Sequence, residues 1–216
     1  MTDRFDVYGF IGSGLGLVIG MFGHELAHAW VAVRRGDQTP RFMGRLTLNP
    51  RVHVDPFGTL IMPAVFLISI LFQASVGFIF GYAKPVTIHP ERMRNPRRDA
   101  IVVALAGPAF NLMIVALAGV AFRSAPFSPK LLTVLYEIGV VNAFLFVINL
   151  LPIPPLDGSK ILARFLSPSA AARMEEWGQY LILFLIALFL IFRGVVGNMA
   201  ADVYQPILGK RFITSG

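Results

Sequence analysis

Residues 8–33 read YGFIGSGLGLVIGMFGHELAHAWVAV, and this apolar run closes at Arg34-Arg35-Gly36. A membrane-spanning helix needs about 20 mainly apolar residues, so the run is long enough to cross a bilayer. Its second half nevertheless carries two histidines and a glutamate. The stretch therefore predicts a membrane helix that holds ionisable groups at depth.

The composition of the whole chain is typical of a membrane protein. Of 216 residues, 56% are hydrophobic and only 14% are charged, which leaves few polar side chains to cover a water-facing surface. The formal net charge of +7 would also suit a nucleic-acid-binding protein. The lysines and arginines, however, lie between apolar segments, where the cytoplasmic flanks of membrane helices carry them. We therefore expect a lipid bilayer as partner and no nucleic acid.

Three further apolar runs are long enough to span a bilayer. They are Ala100–Phe122, Leu131–Leu151 and Trp177–Phe192. Together with residues 8–33 they predict a mainly α, polytopic bundle with about four spanning helices. We interpret residues 1–216 as a single integral membrane domain that ends in a C-terminal helix at about 177–197.

The run Leu60–Phe80 is ambiguous, because it is apolar but contains Pro63, Gln73 and Gly77. Arginines at 34–51 precede it, and a second basic stretch at 84–98 follows it. A single crossing would place these equally basic segments on opposite faces, against the positive-inside bias. We therefore predict a re-entrant helix and loop over residues 60–86. Non-helical backbone is tolerated at membrane depth where it lines a protein cavity.

His24-Glu25-Leu26-Ala27-His28 matches the zinc-binding pattern H-E-x-x-H. Residues i and i+4 of a helix share a face, so both imidazoles can reach one ion with the glutamate beside them. Each ionisable group at mid-membrane costs roughly 2.5–3.5 kcal/mol on insertion scales, so a compensating metal is favoured over polar residues that merely satisfy one another. We therefore predict one zinc ion per chain on His24 and His28, with Glu25 as the catalytic base.

A third protein ligand has to come from elsewhere, and the chain has no cysteine to supply it. Asp157 is the best candidate. It lies in NLLPIPPLDG, residues 149–158, where prolines exclude regular helix and Gly158 lets the backbone pass close to an ion. Considered alone, Asp157 would be interpreted as the cap of a helix at Ser159–Leu166. If Leu60–Phe80 is re-entrant, however, the first and third spans run in the same direction, and Asp157 reaches the same cytoplasmic side as the two histidines.

The remaining polar residues of the apolar runs carry weaker signals. Asn149 either donates a hydrogen bond to the substrate oxyanion or satisfies backbone at the helix break, and the sequence favours neither. Hydrogen bonds between helices are the expected role of Asn111, Glu137 and Asn142. His53 and His89 lie in basic loops, and we expect them at the membrane interface rather than on the metal.

These motifs resemble those of the site-2 protease family of intramembrane zinc metalloproteases. The histidine motif, Ala106-Gly107-Pro108 with Asn111, and the stretch from Asn149 to Gly158 occur in the family's order and cover about residues 10–166. The resemblance implies a catalytic core over that range, with zinc held by His24, His28 and Asp157. It also implies regulated intramembrane proteolysis, in which the substrate is a transmembrane helix of another protein.

Two further stretches, residues 49–56 and 81–86, resemble those of compact bacterial or archaeal members that lack PDZ and CBS modules. The resemblance implies that they form a small membrane-associated β region that receives an extended substrate. It further implies a place in the cytoplasmic membrane of a bacterium or archaeon, with the active site nearer the cytoplasmic side. Ser159 stands where a second glycine is usual in the family.

Two alternative functions fit parts of the same pattern. A membrane metal transporter could also hold His and Asp at depth, but it would need polar groups along a path through the membrane, and the later runs are nearly bare. A catalytically silent scaffold of the same fold normally lacks the glutamate or a ligand, whereas this chain has all of them. The sequence therefore favours a zinc metalloendopeptidase.

Overall fold

The computed structural model describes residues 6–47, 49, 52, 86–124, 126–177, 195 and 197–208. Three long helices form its centre: α1 at Val7–Arg35, α3 at Pro96–Ser124 and α4 at Pro129–Leu150. The shorter helices are α2 at Thr39–Phe42, α5 at Asp157–Leu162, α6 at Pro168–Trp177 and α7 at residues 197–208. A 3₁₀ turn at Pro90–Arg92 precedes α3. The described part of the chain contains no strand.

Local sequence signals set the ends of the spanning helices. The Asp6 carboxylate accepts a hydrogen bond from the Gly9 amide at 2.9 Å and so caps the start of α1. Gly36 ends α1 with a φ of 120°, a backbone conformation that residues other than glycine rarely adopt. Ser128 caps α4, and Pro129 follows it at the first helical position, where its missing N–H costs nothing.

Helices α1, α3 and α4 are each long and apolar enough to cross a membrane. The protein is therefore mainly helical, with three candidate spans among the described residues. The predicted fourth span at 177–192, the re-entrant element at 60–86 and the β region at 49–56 and 81–86 lie almost entirely outside those residues.

A row of glycines brings α1 against α4. A Cβ atom at Gly12 would lie 2.7 Å from the Val134 carbonyl oxygen, and one at Gly16 would lie 2.9 Å from the Ile138 Cα. Such small residues let the backbones of membrane helices approach closely. Because the contacts advance together along both helices, α1 and α4 run in the same direction, as the sequence predicted for the first and third spans.

Helix α3 runs against the direction of α1, since His24 contacts Asn111 whereas His28 contacts Val103. The end of α1 and the start of α3 therefore lie at the same end of the bundle. The Arg94 amide donates to the Arg35 carbonyl there at 3.0 Å. Residues 36–95 thus leave and rejoin the bundle at one end, the arrangement that a re-entrant element requires.

Helix α7 packs along α4, a contact that the sequence analysis did not predict because the C-terminal helix was placed at 177–197. Ala200 packs with Phe144 and Ile148 near the end of α4. The rings of Tyr204 and Tyr136 meet edge-on, with centroids 5.8 Å apart. Apolar residues spaced by three and four in 199–208 are the signal that could have revealed this helix.

Candidate metal centre

Three electron-rich atoms converge between α1, α3 and α5. Nε2 of His24 lies 3.0 Å from Nε2 of His28, and each of these nitrogens lies 2.9 Å from Oδ2 of Asp157. All three side chains are buried. The structure therefore brings together the three residues that the sequence predicted as metal ligands.

The two histidines share a face of α1, whereas Asp157 reaches them from the first turn of α5. The loop that follows α4 folds back to place it, since a Cβ atom at Gly158 would lie 2.2 Å from the Leu150 carbonyl oxygen. The close passage predicted at Gly158 is thus against the end of α4.

The carboxylate of Asp157 does not act as the helix cap that was the alternative interpretation. Leu156 occupies the cap position of α5 and makes no side-chain capping bond. One carboxylate oxygen of Asp157 faces the two imidazoles, and the other accepts from Nζ of Lys160 at 2.6 Å. Asp157 therefore offers a single oxygen to the centre.

The hydrogen bond made by Nδ1 of each imidazole indicates which ring nitrogen carries the proton. Nδ1 of His28 lies 2.7 Å from the Val103 carbonyl oxygen, which can only accept, so Nδ1 donates. Nδ1 of His24 lies 2.7 Å from Oδ1 of Asn111. The Asn111 amide nitrogen donates elsewhere, to Gly20 and Asn142. When neutral, each imidazole therefore presents an unprotonated Nε2 to the centre, the orientation that metal-bound histidines adopt.

The donor set fits zinc. Two nitrogen lone pairs and a carboxylate oxygen repel one another at these distances unless a cation lies among them. Ligand atoms at the corners of a tetrahedron around zinc lie about 3.3 Å apart, given bond lengths of about 2.0–2.1 Å. The separations of 2.9–3.0 Å are only slightly shorter. Three protein ligands leave a fourth position for water or substrate.

Gly107 lets α3 close over the imidazoles. A Cβ atom at this position would lie 2.4 Å from Nε2 of His28 and 2.5 Å from Nε2 of His24. Any larger residue would therefore displace at least one of these nitrogens. The motif Ala106-Gly107-Pro108 that the sequence analysis singled out thus forms one wall of the centre.

Glu25 lies beside the two histidines and is half-buried. Its Oε2 accepts a hydrogen bond from the backbone amide of Val86 at 3.0 Å. Val86 is itself buried and is the first described residue after the stretch 81–85. The chain segment that precedes α3 therefore reaches the candidate catalytic base, a contact that no side-chain pattern in the sequence indicates.

The side-chain amides of Asn111 and Asn142 form a hydrogen-bond network on the Nδ1 side of His24, which the sequence did not predict. Asn111 and Asn142 were expected only to link helices, and they do so: Asn142 donates to the carbonyl oxygens of Gly16 at 3.1 Å and Ile138 at 2.9 Å. Both asparagines are fully buried. Because Asn111 also accepts from His24, the contact between helices and the position of an imidazole depend on one side chain.

The carboxyl group of Asp157 is ionised at neutral pH. Burial raises the pKa of its carboxyl, but hydrogen bonds from the His24 and His28 imidazoles, when their Nε2 atoms carry a proton, and the ammonium of Lys160 lower that pKa by more. The resulting pKa lies below the usual range of an aspartate.

The other predicted polar residues make their hydrogen bonds to groups other than the three donor atoms. Asn149 donates to the Leu145 carbonyl oxygen at 2.9 Å, so it satisfies backbone at the end of α4, one of its two predicted roles. Glu137 accepts from the Ser13 hydroxyl at 3.2 Å and so links α4 to α1. His89 pairs with Glu91 at 2.9 Å in the loop before α3. His53 lies outside the described residues.

An apolar cavity of about 350 Å³ lies on the other side of the histidine helix. Its lining comes from α1, α3 and the loop after α2, and consists mainly of Leu26, Ala27, Trp30, Leu46 and Phe110. The cavity is large enough for one or two apolar side chains, and the residues of α1 that line it lie on the face of the helix opposite Glu25.

Comparisons with known proteins agree with a metal centre of a protease. The family model described as Peptidase family M50 matches residues 121–192. "Putative zinc metalloprotease YwhC" of Bacillus subtilis (strain 168) is 35% identical over 183 residues, which are 80% of this chain and 77% of that protein. "Putative zinc metalloprotease Rip2" of Mycobacterium tuberculosis (strain ATCC 25618 / H37Rv) is 35% identical over 81% of this chain and 65% of its own length. Rip2 of Mycolicibacterium smegmatis is 30% identical over 76% and 61%. No solved structure matches the chain.

Proposed function

The chain belongs to peptidase family M50 and is a zinc metalloprotease of the membrane, and on that premise we propose that it hydrolyses a peptide bond within or next to a transmembrane helix of another protein. The depth of the centre supports this substrate. His28 lies about two turns before the end of α1 at Arg35, which is roughly 10 Å along the helix axis. A bond has to be presented at that depth to reach the three donor atoms.

In this proposal His24, His28 and Asp157 hold one zinc ion. The observation that carries it is the convergence of three buried donor atoms within 3.0 Å of one another. Bound zinc supplies Lewis acidity, which polarises a carbonyl group and makes water a stronger nucleophile at neutral pH.

Glu25 is the proposed general base and acid. Its carboxylate accepts a proton from the attacking water and later delivers that proton to the leaving amine. The hydrogen bond from Val86 holds Oε2, so we assign the proton transfer to Oε1. The same bond keeps the carboxylate turned beside the histidines.

Asn149 is the proposed donor to the oxyanion. It lies in the last turn of α4, and the loop that begins there carries Asp157. One amide hydrogen is used by the Leu145 carbonyl, and a carboxamide nitrogen has two. We assign the second hydrogen to the oxygen that becomes negative as the peptide bond is attacked.

The substrate would have to unwind locally, because the hydrogen bonds of a helix shield its peptide bonds. We propose that the freed strand pairs beside residues 82–86, a mode of edge addition. The contact between Val86 and Glu25 supports this, since it brings the last residue of that segment to the centre.

The proposed topology keeps the catalytic core at about residues 10–166 of a single domain. Leu60–Phe80 re-enters the membrane, and the C-terminal helix at 177–197 adds a fourth span. Arg34, Arg35 and Arg94 lie at the end of the bundle nearer the metal centre, which supports a cytoplasmic position for that end. The protein would then act in a bacterial or archaeal cytoplasmic membrane.

The test compares the membrane proteomes of cells that carry the wild type, Glu25→Gln or Glu175→Gln. Glu175 is an exposed carboxylate of α6 and serves as the matched control. We expect an uncleaved membrane protein to accumulate with Glu25→Gln alone. Full, chelator-sensitive cleavage of a membrane substrate by Glu25→Gln would contradict the proposal, and zinc flux into liposomes without proteolysis would favour the transporter instead.

A further inference from the structure

A second cavity, of about 480 Å³, lies where the end of α1 meets the start of α3. Arg34 and Arg35 line it from α1, and Arg94 lines it from the segment before α3. Asp99 contributes a carboxylate, which Nη1 of Arg35 approaches to 3.3 Å. Three guanidinium groups against one carboxylate leave the cavity with an excess of positive charge.

The lining has two layers along the bundle axis. Trp30 and Val31 precede the arginines of α1 by about one turn, roughly 5.4 Å. Val102 follows Asp99 on the oppositely directed α3, so it also lies nearer the middle of the bundle. The cavity therefore has a cationic rim and an apolar floor.

Trp30 indicates that the cavity lies at the membrane surface. The side chain is half exposed, and the Arg34 guanidinium carbon lies 4.1 Å from the centre of its ring. Tryptophan is enriched at the level of the lipid headgroups. Stacking of this kind holds a guanidinium in place while it still binds an anion.

We propose that this cavity binds the headgroup of an anionic phospholipid. Guanidinium groups bind phosphate through paired hydrogen bonds, so Arg34 and Arg94 would hold the phosphodiester. The apolar floor of Trp30, Val31 and Val102 would take the glycerol and first acyl carbons, which free phosphate lacks. Basic pockets between membrane helices bind lipids of this class. The inference is independent of the proposed catalytic roles.

Native mass spectrometry of the detergent-solubilised full chain tests the site, with phosphatidylglycerol, phosphatidylcholine and inorganic phosphate as probes. We expect selective retention of phosphatidylglycerol. The pair Arg34→Gln/Arg94→Gln should bind it about 25-fold more weakly, at about fivefold per arginine. The control pair Arg41→Gln/Arg173→Gln removes the same charge from exposed arginines outside the cavity and should bind as the wild type does.

The proposal is overturned if the control pair loses as much affinity as the test pair, if phosphatidylcholine binds equally well, or if an equal concentration of inorganic phosphate displaces the lipid. Both test arginines are exposed, so we expect an unchanged unfolding temperature. If the unfolding temperature of the test pair falls, the pair Arg34→Lys/Arg94→Lys is measured instead, because it keeps both positive charges. Retained selectivity for phosphatidylglycerol supports the site, and lost selectivity in a folded protein overturns it.

Discussion

Nδ1 of His24 lies 2.7 Å from Oδ1 of Asn111, and this contact connects the metal centre to the packing of the spanning helices. The amide nitrogen of Asn111 donates to the Gly20 carbonyl on α1 at 3.2 Å and to the side chain of Asn142 on α4 at 3.1 Å. Satisfying its own hydrogen bonds therefore forces Asn111 to present oxygen, not nitrogen, to the imidazole. The interior of the bundle thereby sets the tautomer of a histidine in the candidate metal centre.

Asn111→Ala should weaken zinc binding by roughly 10- to 100-fold, the usual effect of removing a partner behind a metal-bound histidine. The physical cause is the loss of the acceptor for Nδ1 of His24. Competition with a fluorescent zinc chelator in detergent measures the affinity. Asn142→Ala is the matched control, because it removes contacts between helices and leaves the bond between His24 and Asn111 in place. An equal loss of affinity in both variants would mean that packing alone is responsible.

Gly107→Ala should abolish stoichiometric zinc binding, because the added methyl group would lie 2.4–2.5 Å from the two Nε2 atoms. Gly14→Ala makes the same change on α1, where nothing lies within 4 Å of the new atom. This control should bind zinc normally and gain stability, by roughly 0.5–1 kcal/mol for glycine to alanine inside a helix. Elemental analysis of the purified proteins and their unfolding temperatures check both expectations. A Gly107→Ala protein with one zinc per chain would show that the lack of a side chain at Gly107 is not required for zinc binding.

Val86→Pro should lower kcat/KM by roughly 10- to 150-fold, since a hydrogen bond to a charged group contributes about 1.5–3 kcal/mol. The substitution removes the amide hydrogen that holds Oε2 of Glu25. Val86→Ala keeps that hydrogen and should retain most of the activity. Zinc content is measured in both proteins, so that a lost metal is not mistaken for a misplaced base. Equal activities at equal zinc content would show that the contact does not position Glu25.

The convergence of His24, His28 and Asp157 could be predicted from the sequence, whereas the contacts that support these side chains could not. His24 and His28 are four residues apart in one helix, so their convergence is a local property. Asp157 followed from the directions of the spans, which charge patterning indicates. The contact between the Asn111 amide and the His24 imidazole depends instead on how α3 is rotated about its axis relative to α1. No local sequence pattern predicts that rotation.

Contacts made by backbone groups are even harder to predict from the sequence. The amide of Val86 reaches Glu25, yet any residue except proline carries such an amide. Helix α7 lies beyond the apolar run at 177–192, and its polar residues Asp202 and Gln205 leave it without the long apolar stretch that predicts a span. Contacts that depend on tertiary placement therefore had to come from the structure.

Asp37 ties the end of α1 to the segment that leads into α3. Its Oδ2 accepts from the His89 amide at 2.7 Å, and its Oδ1 accepts from the Thr39 amide at 2.9 Å. Burial raises the pKa of Asp37, but these hydrogen bonds lower it by more, so the pKa lies below its ordinary value of 3.8. A carboxyl whose pKa is lower in the folded state stabilises that state above its unfolded pKa, and the contribution is lost as the pH falls through the folded pKa.

Asp37→Asn should therefore lower the unfolding temperature at pH 7, because an amide group cannot accept both backbone hydrogens. Hydrogen bonds to a charged group contribute about 1.5–3 kcal/mol, and a chain of this size loses roughly 2–4 °C per kcal/mol. The difference from the wild type should shrink below about pH 4, as the wild-type carboxyl takes up its proton. Tryptophan fluorescence in excess chelator, from pH 7 to pH 3, measures the effect without interference from zinc loss. Glu91→Gln, which removes a fully exposed carboxylate from the same segment, should unfold as the wild type does. A deficit in Asp37→Asn that stays constant down to pH 3 would show that the lost contribution does not come from the ionised carboxylate.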